Sequence, residues 1–269
     1  MSFEQKQIDT IQFELLKPII KWAGGKTRLS PLLLKITDTA MRSLKTEKID
    51  YFEPFFGGGA LFFELFKNEK INKAYINDII PHLVSFYETV SKKEWLDVLF
   101  DEIDSLVNSF EKGNKKKVYG SAKENTGWVK EFNELWLNNY PKTKQEKIKS
   151  AALFFVLNKT GFNGMFRLNK EGKFNIPKGD TEKINFNDAM KKNFEYVSSI
   201  LSKTSISCGS YEAILPPQKE IDKFLLIFSL DPPYIPDSKT ADFTDYSKEG
   251  FEEKDHDKVA NVFHQLVDD

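Results

Sequence analysis

The sequence predicts an α/β fold: a parallel sheet with crossover helices, split by a mostly helical, basic insertion of about a hundred residues. Three observations carry this. Residues 1–91 alternate buried-strand patterns with helical ones. Residues 92–191 lose the strand signal, gain helical spacing and accumulate lysine, and residues 192–269 resume the strand-and-helix rhythm. The predicted organisation is therefore one body made of 1–91 with 192–269, and a second, inserted unit at 92–191. At 269 residues, 40% hydrophobic and 29% charged, the chain is long enough to bury a substantial core in one large or two unequal domains.

The elements follow in order. Ile49 to Phe55 reads as a buried strand, Gly57-Gly58-Gly59 as a turn and Ala60 to Phe66 as a helix. Ala74 to Ile79 is a second strand and Leu83 to Val90 a second helix, which makes a βαβ unit with a crossover. In the insertion, apolar spacing predicts helices over Trp95 to Phe110, Trp128 to Leu137 and Ile148 to Leu157, with a lysine and glycine stretch from Lys112 to Lys123. Residues 160–179 carry glycines at 161, 164, 172 and 179 and read as a loop bearing a hairpin. A helix near Phe194 to Leu201, a strand at Ser205 to Cys208, a buried strand from Phe224 to Leu230 and an amphipathic helix from Asp255 to Leu266 complete the pattern. There is no internal repeat and no low-complexity tract.

Composition narrows the function classes. No apolar run approaches the roughly 20 residues that span a bilayer, and the first residues lack the shape of a signal peptide, so a cytoplasmic protein is expected. The single Cys208 excludes an intramolecular disulfide and argues against a cysteine-built zinc site. His82, His256 and His264 form no metal motif and read as surface residues; no metal is expected. The net charge of −1 argues against nucleic acid, but its distribution does not. Residues 106–180 hold 15 Lys/Arg against 7 Asp/Glu, whereas 231–269 hold 4 against 11. A basic DNA-facing segment on an acidic body gives this asymmetry, and so does a solvated lysine-rich helical surface.

Two constellations carry chemistry. Glu53-Pro54-Phe55-Phe56-Gly57-Gly58-Gly59 lies where the first strand meets its helix, the usual place for a ligand in an open α/β sheet. Asp78 ends the second strand, where an acidic side chain accepts ribose hydroxyls. The loop is neither GxGxxG nor Walker A and lacks the lysine and hydroxyl that hold polyphosphate, so S-adenosylmethionine fits better than NAD or ATP. A tight strand-to-helix turn accounts for the glycines alone. Lys21-Trp22-Ala23-Gly24-Gly25-Lys26 offers a second wall, with a cation for the donor's carboxylate. Asp231-Pro232-Pro233-Tyr234, after a buried strand, suits methylation of an exocyclic amine. That nitrogen is a poor nucleophile because its lone pair is delocalised; a carboxylate and a carbonyl accepting its two hydrogens localise the pair for in-line attack. The double proline stiffens the turn, and a tyrosine ring stacks on an extruded base. A Pro-Pro turn after a strand explains the tetrapeptide better when it stands alone.

Taken together, KWAGGK, EPFFGGGALFFEL, INDI, LNKTGFNGMFRLNKEGKFNIPKG and DPPY occur in an order that resembles the Dam-type DNA adenine-N6 methyltransferases, nearest the Dam and DpnII-methylase branch. The likeness runs from about Lys17 onward. It implies a Rossmann-like S-adenosylmethionine-dependent methyltransferase sheet and double-stranded DNA as substrate. By the resemblance, Asp231 and the Pro232 carbonyl hold the target N6 amine and Tyr234 stacks on the flipped adenine. Trp22, Lys26, Glu53, Phe55, Phe56, Gly57, Asp78 and Asp231 line the S-adenosylmethionine pocket. Arg167 reaches a guanine in the major groove, Met165 and Pro177 make apolar contacts, Phe162 and Asn163 wedge near the extruded adenine, and Lys21 touches the target DNA. These matches favour GATC. Read without the family, Arg167 is better explained as a phosphate or surface contact.

Members of the family continue past the helix placed at 255–266 with further strands, so the chain is expected to be a piece of a longer protein or a shortened gene product, or else half of a split enzyme. A shortened binding module that holds DNA or cofactor without turnover is the alternative to the enzyme. Cytosine N4 or an RNA adenine is the alternative substrate. The resemblance implies a prokaryotic or phage-encoded protein and leaves open a cognate restriction endonuclease as system partner.

Overall fold

Among the described residues four parallel strands carry the fold: β1 (Ile49–Glu53), β2 (Ile71–Asp78), β3 (Ser205–Cys208) and β4 (Leu226–Phe228). The computed structural model describes residues 16–137, 140–214, 226–232 and 253–267, and within them the strand order is β3-β2-β1-β4. All five residues of β1 are buried, as a central strand between two parallel partners requires. Glu53 pairs with Ile76 on one side, and Phe52 pairs with Phe228 on the other. From β1 the chain runs outward to β2 and β3, then returns to add β4 on the opposite flank. The order reverses at β1, so the crevice beyond its carboxyl end is where this architecture admits a ligand.

Among the described residues the α-helices are α1 (Ser30–Ser43), α2 (Ala60–Lys67), α3 (Pro81–Val90), α4 (Leu96–Lys112), α5 (Lys115–Tyr119), α6 (Gly127–Leu137), α7 (Lys144–Thr160), α8 (Asp188–Leu201) and α9 (Glu253–Val267). α7 is the axis of the insertion. It starts with a capping box, Thr143 with Glu146, and is buried without a break from Ser150 to Asn158. α3, α4 and α6 pack on it. One apolar core joins sheet and insertion through aromatic contacts: Phe86 of α3 lies 5.2 Å from Phe154 of α7, and Phe155 lies 5.3 Å from Phe194 of α8. Lys17 is tied to α8 by a pair of hydrogen bonds with the Asn193 amide.

The hairpin in 160–179 is held by antiparallel bridges at Gly161–Lys178 and Leu168–Phe174, with Asn169 N–H donating to the Lys173 carbonyl at 2.8 Å across its tip. Three sequence expectations need amendment. α1 and α5 occupy stretches where no helix was expected. His82 does not lie on the surface: it is 6% exposed, packed between Trp136, at 3.9 Å between ring centroids, and Phe166 at 5.1 Å. Burial lowers its pKa to about 3, so it is a neutral core side chain. His256 is half-buried and His264 is exposed.

Candidate active site

The carboxyl ends of three strands bring acidic side chains into one crevice. Glu53 ends β1, Asp78 ends β2, and Asp231 follows β4 by three residues. Asp78 braces the glycine turn. Its Oδ2 accepts the Gly57 N–H at 2.9 Å and its Oδ1 accepts the Ile80 N–H at 3.0 Å. Burial pushes its pKa up to about 6 against the lowering effect of those N–H groups. Glu53 is 6% exposed, and its Oε2 has no hydrogen-bond partner among the described residues. Burial holds its carboxyl well above the usual range; the Tyr51 hydroxyl opposes this, and the charges of Asp231 and Asp78 add to it.

The turn between β1 and α2 is built for a backbone in close contact. Gly57 sits at φ +50°, and a Cβ there would come within 2.6 Å of the Trp22 indole. At Gly58 a Cβ would stand 3.2 Å from the Trp22 Cβ. Tyr87 Oη donates to the Gly57 carbonyl at 3.2 Å, and Asn77 Nδ2 donates to the carbonyls of Gly209 at 2.9 Å and Pro54 at 3.2 Å. Phe56 is buried beneath the turn, 4.9 Å from the Tyr87 ring, while half-buried Phe55 stacks on Tyr211 at 5.3 Å. Lys26 enters from the N-terminal segment: its Nζ lies 2.6 Å from Asp231 Oδ2 and donates to the Gly24 carbonyl at 2.8 Å. Among the described residues, no group of three or more His, Cys, Asp or Glu is placed to hold a metal ion.

A family model described as "D12 class N6 adenine-specific DNA methyltransferase" matches residues 22–269. The chain belongs to this family. Among its relatives, the type II methyltransferase M.MjaIII of Methanocaldococcus jannaschii is 33% identical over 93% of this chain and 80% of that protein. The type II methyltransferase M.CviBI of Paramecium bursaria Chlorella virus NC1A is 31% identical over 92% of this chain and 78% of that protein. A DNA adenine methylase of Vibrio cholerae is 27% identical over 91% and 75% respectively. The chain is thus a D12-class enzyme that transfers methyl groups from S-adenosylmethionine to adenine N6 in double-stranded DNA. No helix among the described residues is long and apolar enough to cross a membrane.

The crevice fits S-adenosylmethionine by its own chemistry. Two carboxylates at adjacent strand ends suit the hydroxyls of an uncharged ribose, and one of them keeps a buried oxygen without a partner among the described residues. The glycine turn leaves no side chain between the backbone and Trp22. Of the cofactor residues expected from sequence, Trp22 meets Gly57, Asp78 holds the Gly57 N–H, and Lys26 pairs with Asp231 near Glu53, whereas Phe56 is buried beneath the turn and Phe55 stacks on Tyr211. Pro232 is half-buried beside Asp231, and Tyr234 lies outside the described residues.

The expected DNA-facing residues sit on the neighbouring hairpin. Phe162 is 49% exposed and Asn163, at φ 54°, is exposed, both in a 3₁₀ turn at the hairpin's root. Pro177 is exposed, and its carbonyl accepts the Phe162 N–H at 2.9 Å. Half-buried Arg167 donates from Nε to Asn175 Oδ1 at 2.9 Å, which anchors the guanidinium within the hairpin. Met165 is half-buried on the core, and the exposed Lys21 meets the hairpin root, where a Cβ on Gly164 would stand 2.7 Å from its own Cβ. Sequence reasoning missed Asn77, Tyr87 and Tyr211, which brace the glycine turn, and Asn158 and Phe166, which join the hairpin to the crevice. Only Asn77 carried a local signal, as a polar residue inside an apolar strand next to Asp78.

Proposed function

We propose that the chain methylates the adenine of GATC in duplex DNA after the base has turned out of the helix into the crevice beside Asp231. The observation that supports this best is the pairing of Lys26 with Asp231 at 2.6 Å beside the Glu53–Asp78 cluster, at the reversal point of the sheet. The chemistry S-adenosylmethionine supplies there is an electrophilic methyl group on sulfur. Asp231 would accept one hydrogen of the N6 amine and the Pro232 carbonyl the other, which localises the nitrogen lone pair out of the ring. The amine would take the methyl group, leaving S-adenosylhomocysteine, and its surplus N6 proton would pass by way of the Asp231 carboxylate to solvent. Tyr234 stacks on the extruded base. Asp78 and Glu53 hold the donor's ribose, Phe55, Phe56, Gly57 and Trp22 form the walls around it, and Lys26 orients the Asp231 carboxylate.

Residues 1–91 and 192–269 form the catalytic body in this reading, and 92–191 recognise the target. Arg167 reads a guanine with its guanidinium fork. Met165 and Pro177 touch base edges, Phe162 and Asn163 fill the space left by the flipped adenine, and Lys21 contacts the target strand. The printed names of two relatives, type II methyltransferases, support a restriction endonuclease of the same specificity as system partner.

Methyl transfer from labelled S-adenosylmethionine to duplexes carrying GATC, with single-base variants alongside and nucleoside analysis of the product, tests this. Label in N6-methyladenine confined to GATC duplexes is the expected result. Equal label in the variants removes GATC. No label, in folded protein that binds the cofactor, replaces the enzyme with a binding module.

A further inference from the structure

We propose that Asn158 is a positioning residue: its carboxamide fixes the recognition hairpin to the N-terminal wall of the crevice, so that target choice and methyl transfer depend on one another. The proposal rests on the reading of the hairpin as the DNA-contacting element. Asn158 lies in the last turn of α7 and is 5% exposed. Its Oδ1 accepts the Lys21 N–H at 2.9 Å, and its Nδ2 donates to the Lys21 carbonyl at 2.8 Å and to the Gly164 carbonyl at 2.9 Å. Both amide hydrogens and the oxygen are therefore used, and none of them caps the residue's own helix.

The two segments it joins are the two halves of the proposed function. Lys21 precedes Trp22, which covers Gly57 and Gly58, and the same segment ends at Lys26 on Asp231. Gly164 closes the turn that starts the hairpin, and two residues later Phe166 stacks on Trp22 at 6.2 Å. There is no slack at the junction. Gly164 has φ +66°, and a Cβ there would approach Lys21 Cβ to 2.7 Å and the Asn158 carbonyl oxygen to 3.2 Å. A shift of the hairpin on DNA thus reaches Trp22 and Lys26 through packed atoms and the three hydrogen bonds of the buried Asn158 carboxamide.

The chain uses this device repeatedly. Asn133 grips Phe174, at the far end of the hairpin, by the same backbone pair: N–H to Oδ1 at 2.7 Å and Nδ2 to carbonyl at 3.1 Å. Asn193 grips Lys17 likewise, at 3.1 and 3.0 Å. Among these three carboxamides only Asn158 bonds two separate segments. An acceptor and two donors at this reach are what asparagine offers. Aspartate keeps the shape and the acceptor but turns an oxygen onto two carbonyls.

The test measures kcat and KM for Asn158→Asp and Asn158→Ser on the preferred duplex and on single-base variants, with cofactor affinity and melting temperature recorded. The ratio of kcat/KM between preferred and variant duplexes does not depend on the fraction of active protein. It is expected to fall by about tenfold or more, with kcat on the preferred duplex reduced and cofactor affinity held within about threefold. A wild-type ratio, or a uniform loss on every duplex, overturns the proposal. Should the Asn158 variants not fold, Gly164→Ala displaces the same junction from the hairpin side and is expected to give the same fall in ratio. Arg167→Ala runs in parallel. If it alters sequence choice while the junction variants do not, the coupling fails and the hairpin reading stands; if it leaves sequence choice unchanged, the hairpin reading itself fails.

Discussion

Buried carboxylates are costly unless a ligand or a proton compensates them, and this crevice contains two. Asp78 has a pKa of about 6 in the folded chain, against 3.8 for the ordinary side chain. Between those values the folded state binds a proton that the unfolded state has released. Stability therefore falls as pH rises from about 4 to about 6, by on the order of 3 kcal/mol, and the loss persists above that range. The raised pKa of Glu53 acts in the same direction. The melting temperature of the protein alone should accordingly rise between about pH 7 and pH 5, and Asp78→Ala should lose much of that slope; identical slopes would show that Asp78 titrates normally. Asp231 differs, being partly open and paired with Lys26. Asp231→Ala should abolish methyl transfer with little change in melting temperature, and retention of more than a few per cent of activity would remove it from the chemistry.

At the level of elements, the glycine turn and the hairpin each make a distinct prediction. Gly57→Ala combines a left-handed φ of +50° with a clash 2.6 Å from the Trp22 indole, so it should cost about 1–3 kcal/mol and weaken cofactor binding. Calorimetric titration with unchanged affinity would show that the turn can yield. In the hairpin, Arg167→Ala should relax discrimination at one base pair by about 1–3 kcal/mol; a uniform affinity loss on all sequences would make Arg167 a phosphate contact instead. Asn175→Ala should do the same more weakly, since it frees the guanidinium without removing it. These elements were legible in the sequence because their signals are local: an apolar strand, then glycines, then a helix, or glycines spaced through a polar loop. α1 was not, because Leu32 and Ile36 face solvent and break the apolar stripe that marks a helix. α7 extends beyond its apolar run because the polar Lys144–Lys147 turn is held by a cap, not by burial. His82 and Asn158 look like solvated polar residues in sequence; only the packing of Trp136 and Phe166, and the backbone of Lys21 and Gly164, give them their places.

For the molecule as a whole, a net charge of −1 would give almost no attraction to DNA if it were evenly spread. The excess of Lys and Arg lies instead within 106–180, in the insertion that carries the hairpin. Part of it converges in space. A cavity of about 840 Å³ between the 120–124 turn and the hairpin is lined by Lys116, Lys123, Lys173 and Lys178, against Glu124 and Glu171. A basic concavity beside the hairpin would attract the phosphate backbone whatever the sequence, whereas contacts to base edges contribute little salt dependence. Affinity for duplexes of any sequence should therefore drop steeply with ionic strength. Neutralising about four phosphates corresponds to about a hundredfold between roughly 50 and 200 mM salt. Lys116→Ala and Lys123→Ala should each flatten the log–log slope by about one and leave the ratio between preferred and variant duplexes unchanged. Binding isotherms across a salt series decide this. A slope near zero would mean that the lysine-rich surface is a solvated face and that the hairpin binds without electrostatic help.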